Sequence, residues 1–578
     1  MLKQIWLDDS SYDDIYEKAV EKLQRQAPWW THTEVSDPGI MLLEMWAVLT
    51  DMQSYYLNQV QESHYRKYLK LLGIPPDEGE CASAWIFFDN VERECVVPAG
   101  TKLLADRMVF ETETEVRLTA NRLTGFYQNT DANRVKAMQV YRKTKFSLQE
   151  GDENLFSFVL KEQIQPGEEF LFFLLLDEQE KRNWAAPDFH MVQLAWEYET
   201  SCGWREAQVV RDDTRGLLFS GCICLCMDMP MAEGKEGYEI RCRMKEGTYD
   251  LVPSLYKICL NVVRAVQKDT LCCEEMADFS QNCHRVLLKS YLARTGNLRI
   301  LKKVEGRGEF WEDITDSPEI VLDPPVTEYC MERSLVYAGE GHVKIVCTAA
   351  CGCPDDFVRD VTGIAAQQIA LPWEKVLRSS VKLMLLQEGG AGKVYRTWRR
   401  EEPEEDRYEN AWHWKEEENV IVLGDGRHGD IPEPSKNGLR ITSLALWEGE
   451  KGNVSIDKIV HWERPELFRQ ITCTNRLTGR GGRNRLLPSL QFEQVRADLL
   501  RPGRMITEAD IQALAMETPG LLLKEVKAEW RDGAVWIKVV PVYPLKNSYC
   551  VKRYQSQIEN HLEPYRLAGT RIHIEIAG

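Results

Sequence analysis

One glycine-rich run has the spacing of a phosphate cradle. Gly424-Asp425-Gly426-Arg427-His428-Gly429 matches G-x-G-x-x-G and follows an apolar, strand-like stretch, ENVIVL. Dinucleotide binding also needs a helix opening at the third glycine, so that its N-terminus meets the pyrophosphate. Asp430-Ile431-Pro432-Glu433-Pro434 follows instead, and a helix cannot run through those prolines. The run therefore reads as a tight structural turn built on Gly424, Asp425, Gly426 and Gly429. A second run, Asn475 to Arg485 (NRLTGRGGRNR), sets four arginines among three glycines in an acidic chain. Such a run suits a phosphate or an acidic partner, or else a mobile surface loop, and the residues alone leave both readings open. No aromatic stacking platform interleaves with the arginines, which favours a protein partner over nucleic acid.

The other reactive residue types lack the spacing that chemistry requires. Of 17 cysteines, nine fall between Cys202 and Cys283. Cys222, Cys224 and Cys226 alternate, which puts them on one strand face and suits packing better than tetrahedral metal ligation. Cys272-Cys273 with Cys283-His284 lacks paired CxxC knuckles, and Cys347, Cys351 and Cys353 lack a nearby fourth ligand. These read as core thiols, with no metal or other cofactor expected. Histidines stand singly, as at His32, His64, His190, His413 and His561. No H-E-x-x-H, G-x-S-x-G or Walker loop occurs, so no enzyme is expected.

The elements that would carry these residues change character along the chain. The first 75 residues read as helical. Ser10 and Asp13 give a start signal, with Tyr12, Ile15, Tyr16, Ala19 and Leu23 on one face. Ala27 to Trp30 (APWW) interrupts. Ser36-Asp37-Pro38-Gly39 then opens a second helix, with proline at its first position. From Ile40 to about Val60 the apolar residues cover a broad face. A third helix through Tyr65, Tyr68, Leu69 and Leu72 stops at Gly73, before Pro75-Pro76. From about residue 80 the period becomes two, and strand-like runs such as WIFFDN, FLFFLLL and LAWEYE follow. After residue 500, Thr507 and Asp510 open a helix, Arg531-Asp532-Gly533 joins two strands, a helix spans about Asn547 to Glu563, and TRIHIEI is a last strand.

Bulk properties narrow the classes. The 578 residues include 72 basic and 90 acidic side chains, a formal charge of −18, which argues against general binding to nucleic acid or anionic membranes. With 17 Trp, 21 Tyr and 17 Phe the chain has ample material for cores, and its longest apolar run, Phe170 to Leu176, is far short of a membrane span. The N-terminal MLKQIWLDDSSYDD is acidic where a signal peptide needs an apolar stretch, so synthesis and assembly in the cytoplasm are expected.

Three ordered segments carry a resemblance. The first holds Trp29-Trp30-Thr31, Asp37 to Glu44 (DPGIMLLE), Tyr68 to Pro75 (YLKLLGIP) and Val97 to Thr101 (VPAGT). The second holds Trp196-Glu197-Tyr198, Trp204-Arg205-Glu206, Asp212 to Leu217 (DDTRGL), Ser220-Gly221, Tyr249, Pro253 and Asn261. The third holds Leu423 to Pro432 and Gly452-Asn453-Val454. Together they resemble the baseplate J-like family, the baseplate assembly proteins of contractile phage tails and related injection particles. The resemblance implies a structural wedge subunit of a phage, tailocin or cell-derived injector, which ties the central hub to the sheath base and helps form the six-fold ring that controls contraction. It also implies hetero-oligomeric partners: other wedge proteins, a second copy or a paralogue, and sheath-base and hub or spike proteins. Two departures from the family are that Gly481-Gly482 leads into Arg483-Asn484-Arg485 rather than acidic residues, and that TRIHIEI ends at Gly578 where longer members continue. The function of such an extension is expected to be missing or to lie on another chain.

The expected fold is multidomain α+β: a helical segment over 1–76, a β-rich domain over 77–284, an added β module over 285–360, a β-rich domain over 361–470 and an α+β ring-contact domain over 471–578. Interface residues are expected at Trp29, Trp30, Asp37, Pro38, Gly39, Trp46, Arg476, Arg480, Arg483 and Arg485. The rival expectation is carbohydrate or receptor binding through the strands around Trp196 and Trp204.

Overall fold

A computed structural model describes residues 10–31, 34, 36–58, 61–130, 133–136, 146–147, 154–177, 182–183, 189–304, 309–324, 332–349, 357–389, 392–400, 410–415, 419–427, 429–468, 470–531, 533–545 and 547–577. The expectation of an α+β protein is corrected: the chain is mostly β, with 42% of the described residues in strands and 20% in helices. The helices α1 (Tyr12–Gln26), α2 (Pro38–Asn58), α3 (Glu62–Leu71), α4 (Tyr291–Thr295), α5 (Pro488–Leu499), α6 (Glu508–Met516) and α7 (Ser548–Leu562) lie almost wholly towards the two ends. Between Ser83 and Thr474 the described helices are α4, of five residues, and two short 3-10 turns. Period-two alternation over that long middle outweighs the helical ends.

The chain forms two compact units. The described residues of one fall within Met1–Asp77 and Arg485–Leu499, and those of the other within Glu78–Glu401, Glu405–Asn484 and Leu500–Gly578. The first is helical. Helix α1 starts one residue later than expected, because DSSYDD carries the capping pattern in two registers and Ser11 with Asp14 forms the box. Helices α1 and α2 pack together, and α5 packs on α3 through Phe492 against Tyr65 and Tyr68, at ring distances of 5.5 and 6.1 Å. Glu62 of α3 accepts bonds from the Ser489 amide and hydroxyl, at 2.9 and 2.7 Å. These bonds fix the opening turn of α5.

The second unit is built of sheets. A six-stranded sheet combines Ser83–Asp89, Lys102–Ala105 and Met108–Thr112 with Val262–Gln267 and two returning pieces, His461–Trp462 and Thr472–Thr474. A five-stranded sheet around Glu169–Leu176 and a six-stranded sheet around Val192–Thr200 share a core in which Phe172 meets Trp196 edge to face at 5.3 Å. Gly221–Cys226 is buried on both faces. Ile223 and Leu225 join that core, while Cys222 packs with Phe87 and Phe173, and burial pushes its thiol up to about 12. Further along, seven strands follow one path: Phe310–Asp313, Asn297–Lys303, Gly341–Thr348, Asp269–Phe279, Ser435–Leu446, Lys382–Gly389 and Gly392–Arg400. The last returns to the first, with Phe310 opposite Arg396 and Trp311 opposite Tyr395, so the pairings close on themselves.

The final hundred residues fold as the hairpin Leu523–Arg531 and Ala534–Pro541, with Arg571–Ile576 added parallel to the second strand. Helices α6 and α7 cover its apolar face, and that core is continuous with the one around Trp196. The buried side chains of Arg182 and Asp250 pair at 2.7 Å, and the Tyr554 hydroxyl of α7 donates to Asp250 at 2.6 Å. Burial pushes the Asp250 carboxyl up, but the Arg182 and Tyr554 bonds outweigh it and hold the group below its ordinary range.

Candidate functional site

Helix α2 carries a run of large apolar side chains that the described residues leave uncovered. The Asp37 carboxylate caps it, accepting from the amides of Gly39 and Ile40 at 2.7 and 3.2 Å, and Pro38 sits where no amide is needed. Trp29 and Trp30 stack at 6.1 Å just upstream. A Cβ on residue 39 would stand 2.1 Å from the Trp30 ring, so glycine is what lets that ring lie against the helix start. Along α2 a narrow line is buried: Ile40, Ala47 and Ser54, spaced by seven. Met41, Leu42, Met45, Trp46, Leu49, Met52, Tyr55 and Tyr56 lie outside it, between 49% and 66% exposed. A helix apolar around most of its circumference belongs inside a bundle. No described helix is long and apolar enough to cross a membrane.

The expected interface residues therefore divide. Trp29, at 78% exposed, Trp46, at 65%, and the Asp37-Pro38-Gly39 cap all belong to the α2 region. The arginines are elsewhere. Arg476 turns inward, 2.6 Å from Asp89 and 5.2 Å from the centre of the Phe87 ring. Arg480 and Arg483 are held by main-chain bonds to Ser83 and Glu80, at 2.8 to 2.9 Å. Arg485 falls in the helical unit. The run from Arg476 to Arg483 is thus pinned along its backbone rather than loose.

The remaining motifs are locks on turns. Gly424 to Gly429 closes through the Gly426 amide on the Gly429 carbonyl at 2.8 Å, with Asp425 accepting from Arg427. Gly426 has φ of 84°, and a Cβ on Gly424 would stand 2.2 Å from the Asp430 carbonyl oxygen. His428, Cys351 and Cys353 lie outside the described residues. Asp212 bonds the amides of Thr214 and Gly216, holding three successive left-handed residues, Arg215 to Leu217. Asn453 grips both polar groups of Gly482, at 2.7 and 2.8 Å.

Sequence reasoning missed three structural keystones. Fully buried Asn475 accepts from the Lys458 and Ile459 amides and donates to the Ser455 and Leu477 carbonyls, all at 2.8 to 2.9 Å. Asp250 joins residues 68 and 304 positions away and leaves no local pattern. Helix α5 did leave a signal, Leu487-Pro488-Ser489, with proline at the first helical position. Trp196 is 1% exposed, and Trp204 is covered on one ring face by the Arg241 guanidinium at 4.0 Å. Among the described residues no group of three or more His, Cys, Asp or Glu is placed to hold a metal ion.

Residues 11–67, which contain α1, α2 and the first six residues of α3, match the family model of the bacteriophage baseplate protein, N-terminal domain. The N-terminal segment is thus similar to a phage baseplate protein. No curated protein matches the chain. Among solved structures, the chain is similar to one in the type VI secretion system TssK-TssF-TssG baseplate subcomplex, at 9% identity and a TM-score of 0.36, over 93% of this chain and 96% of that one. It is also similar to a chain of the six-fold symmetrised anti-feeding prophage baseplate, at 10% identity and a TM-score of 0.30, over 99% of this chain and 72% of that one.

Proposed function

We propose that this chain is a structural, non-enzymatic wedge subunit in the baseplate of a contractile phage tail or related injection particle. One observation carries the reading: the segment that matches the baseplate N-terminal domain presents, on α2, an apolar surface that the described residues leave bare. In this reading α1 and α2 complete a helix bundle with another wedge chain, with Trp29 and Trp46 as anchors. The β-rich unit links the hub to the sheath base, and the C-terminal hairpin with α6 and α7 contacts neighbouring wedges as the six-fold ring closes. A ring of this kind needs heterologous contacts, so Arg480 and Arg483 are assigned to one side of a wedge-to-wedge contact and an acidic face to the other. Synthesis and assembly take place in the cytoplasm. The rival reading, carbohydrate or receptor binding around Trp196 and Trp204, would rest on Trp204 alone, because the Trp196 ring is buried and Trp204 is 38% exposed with Arg241 over one ring face.

Deleting the gene and imaging the particles tests the proposal. Loss of sheathed particles with intact baseplates is expected, and normal, fully sheathed particles would overturn it.

A further inference from the structure

Two described cations in the interior of the closed path of seven strands, Lys344 and Arg440, differ in their partners. Lys344 lies 3.5 Å from the Glu274 carboxylate and over the Trp311 ring. Arg440 is 9% exposed, stacks on Tyr395 at 5.1 Å and donates from Nη2 to its hydroxyl at 3.2 Å. Among the described residues no carboxylate pairs with it, and its buried Nε has no hydrogen-bond partner. A buried guanidinium without an anion is costly, because the ring and one neutral hydroxyl replace little of its lost hydration.

Arg440 lines a cavity of about 250 Å³. The volume is just under the ~300–1,000 Å³ of sites for drug-sized molecules, so a small ligand fits. Val346, Phe357, Val358 and Ile441 give it an apolar wall. Arg299 also lines it but is paired with Asp313 at 3.0 Å, and Asp316 adds a negative charge that disfavours a multiply charged anion.

We propose that this cavity binds a small monocarboxylate, with the carboxylate on Arg440 Nε and the apolar body against Val346, Phe357 and Val358. The site is independent of the baseplate reading. Thermal unfolding of the purified full chain with sodium hexanoate tests it. Hexanoate at ten times its dissociation constant is expected to raise the melting temperature by about 1–3 °C. Hexanol, which has the tail without the charge, and inorganic phosphate, which has charge without the tail, are expected to give no shift. Arg440→Gln should weaken hexanoate binding at least tenfold by calorimetry. An equal response to hexanol or phosphate, or full binding by Arg440→Gln, overturns the proposal. Should that variant fail to fold, Val358→Phe fills the cavity while leaving the guanidinium, and hexanoate binding that survives it overturns the proposal equally.

Discussion

Helices α7 and α2 show opposite relations between apolar content and burial. Helix α7, of 15 residues, buries Cys550, Tyr554, Ile558 and Leu562 and leaves a polar face outside. Helix α2, of 21 residues, is the more apolar, yet among its described residues only Ile40, Ala47 and Ser54 are buried. One helix finds its partners within the chain, and Tyr554 even closes a buried ion pair. The other has apolar surface well beyond what α1 covers. Apolar content alone therefore does not mark a core. The uncovered share distinguishes a helix that stabilises its own chain from one with apolar surface to spare.

The sharpest way to break this contrast is at the covered end. Asp250→Ala leaves Arg182 buried and unpaired, and is expected to cost about 3–5 kcal/mol, seen as a large fall in the thermal midpoint or in soluble yield. Asn475→Ala strips partners from two amides and two carbonyls in the β-rich unit, and about 2–4 kcal/mol is expected in denaturant unfolding. Tyr554→Phe removes the bond to charged Asp250 and the acceptor of the Leu522 amide, for about 1.5–3 kcal/mol. Acid probes the same pair. The folded Asp250 carboxyl lies below the ordinary value of 3.8, so its contribution is full above that value and is lost as pH falls through the folded pKa. The melting temperature of the native chain should therefore drop more steeply below about pH 4 than that of Asp250→Asn. At the uncovered end, the double change Trp46→Ser with Leu49→Ser should alter the chain's own stability by less than about 0.5 kcal/mol, measured by the same unfolding. A cost as large as that of Tyr554→Phe would place α2 in the chain's own core and end the comparison.

Much of the local structure was legible because its causes are local. Pro38 after Asp37, the Thr507 and Asp510 capping box of α6, and the turn between Arg531 and Gly533 each write their element in a few adjacent residues. The broad apolar face of α2 was legible too, but the sequence does not say which part of such a face stays bare. Asp250, Asn475 and the closure of Trp311 on Tyr395 depend on partners far along the chain, and single-sequence periodicity carries no trace of them. The arginine run illustrates the limit. Its composition suggested a loose loop or a binding surface equally, and the backbone bonds to Glu80 and Ser83 that pin it involve no side-chain pattern.

The core shared between the sheets around Trp196 and helix α7 also has a consequence in time. The Cys550 thiol donates to the Thr248 carbonyl across 302 positions of chain. At roughly 5–20 residues per second, the ribosome needs about 15–60 s to deliver the second half of that core after the first. During this interval Asp250 and its neighbours have no α7 to cover them, so closure of this core waits for Ser548–Leu562. A chain that stops before Cys550 therefore carries the sheets around Trp196 with that part of their shared core unfilled.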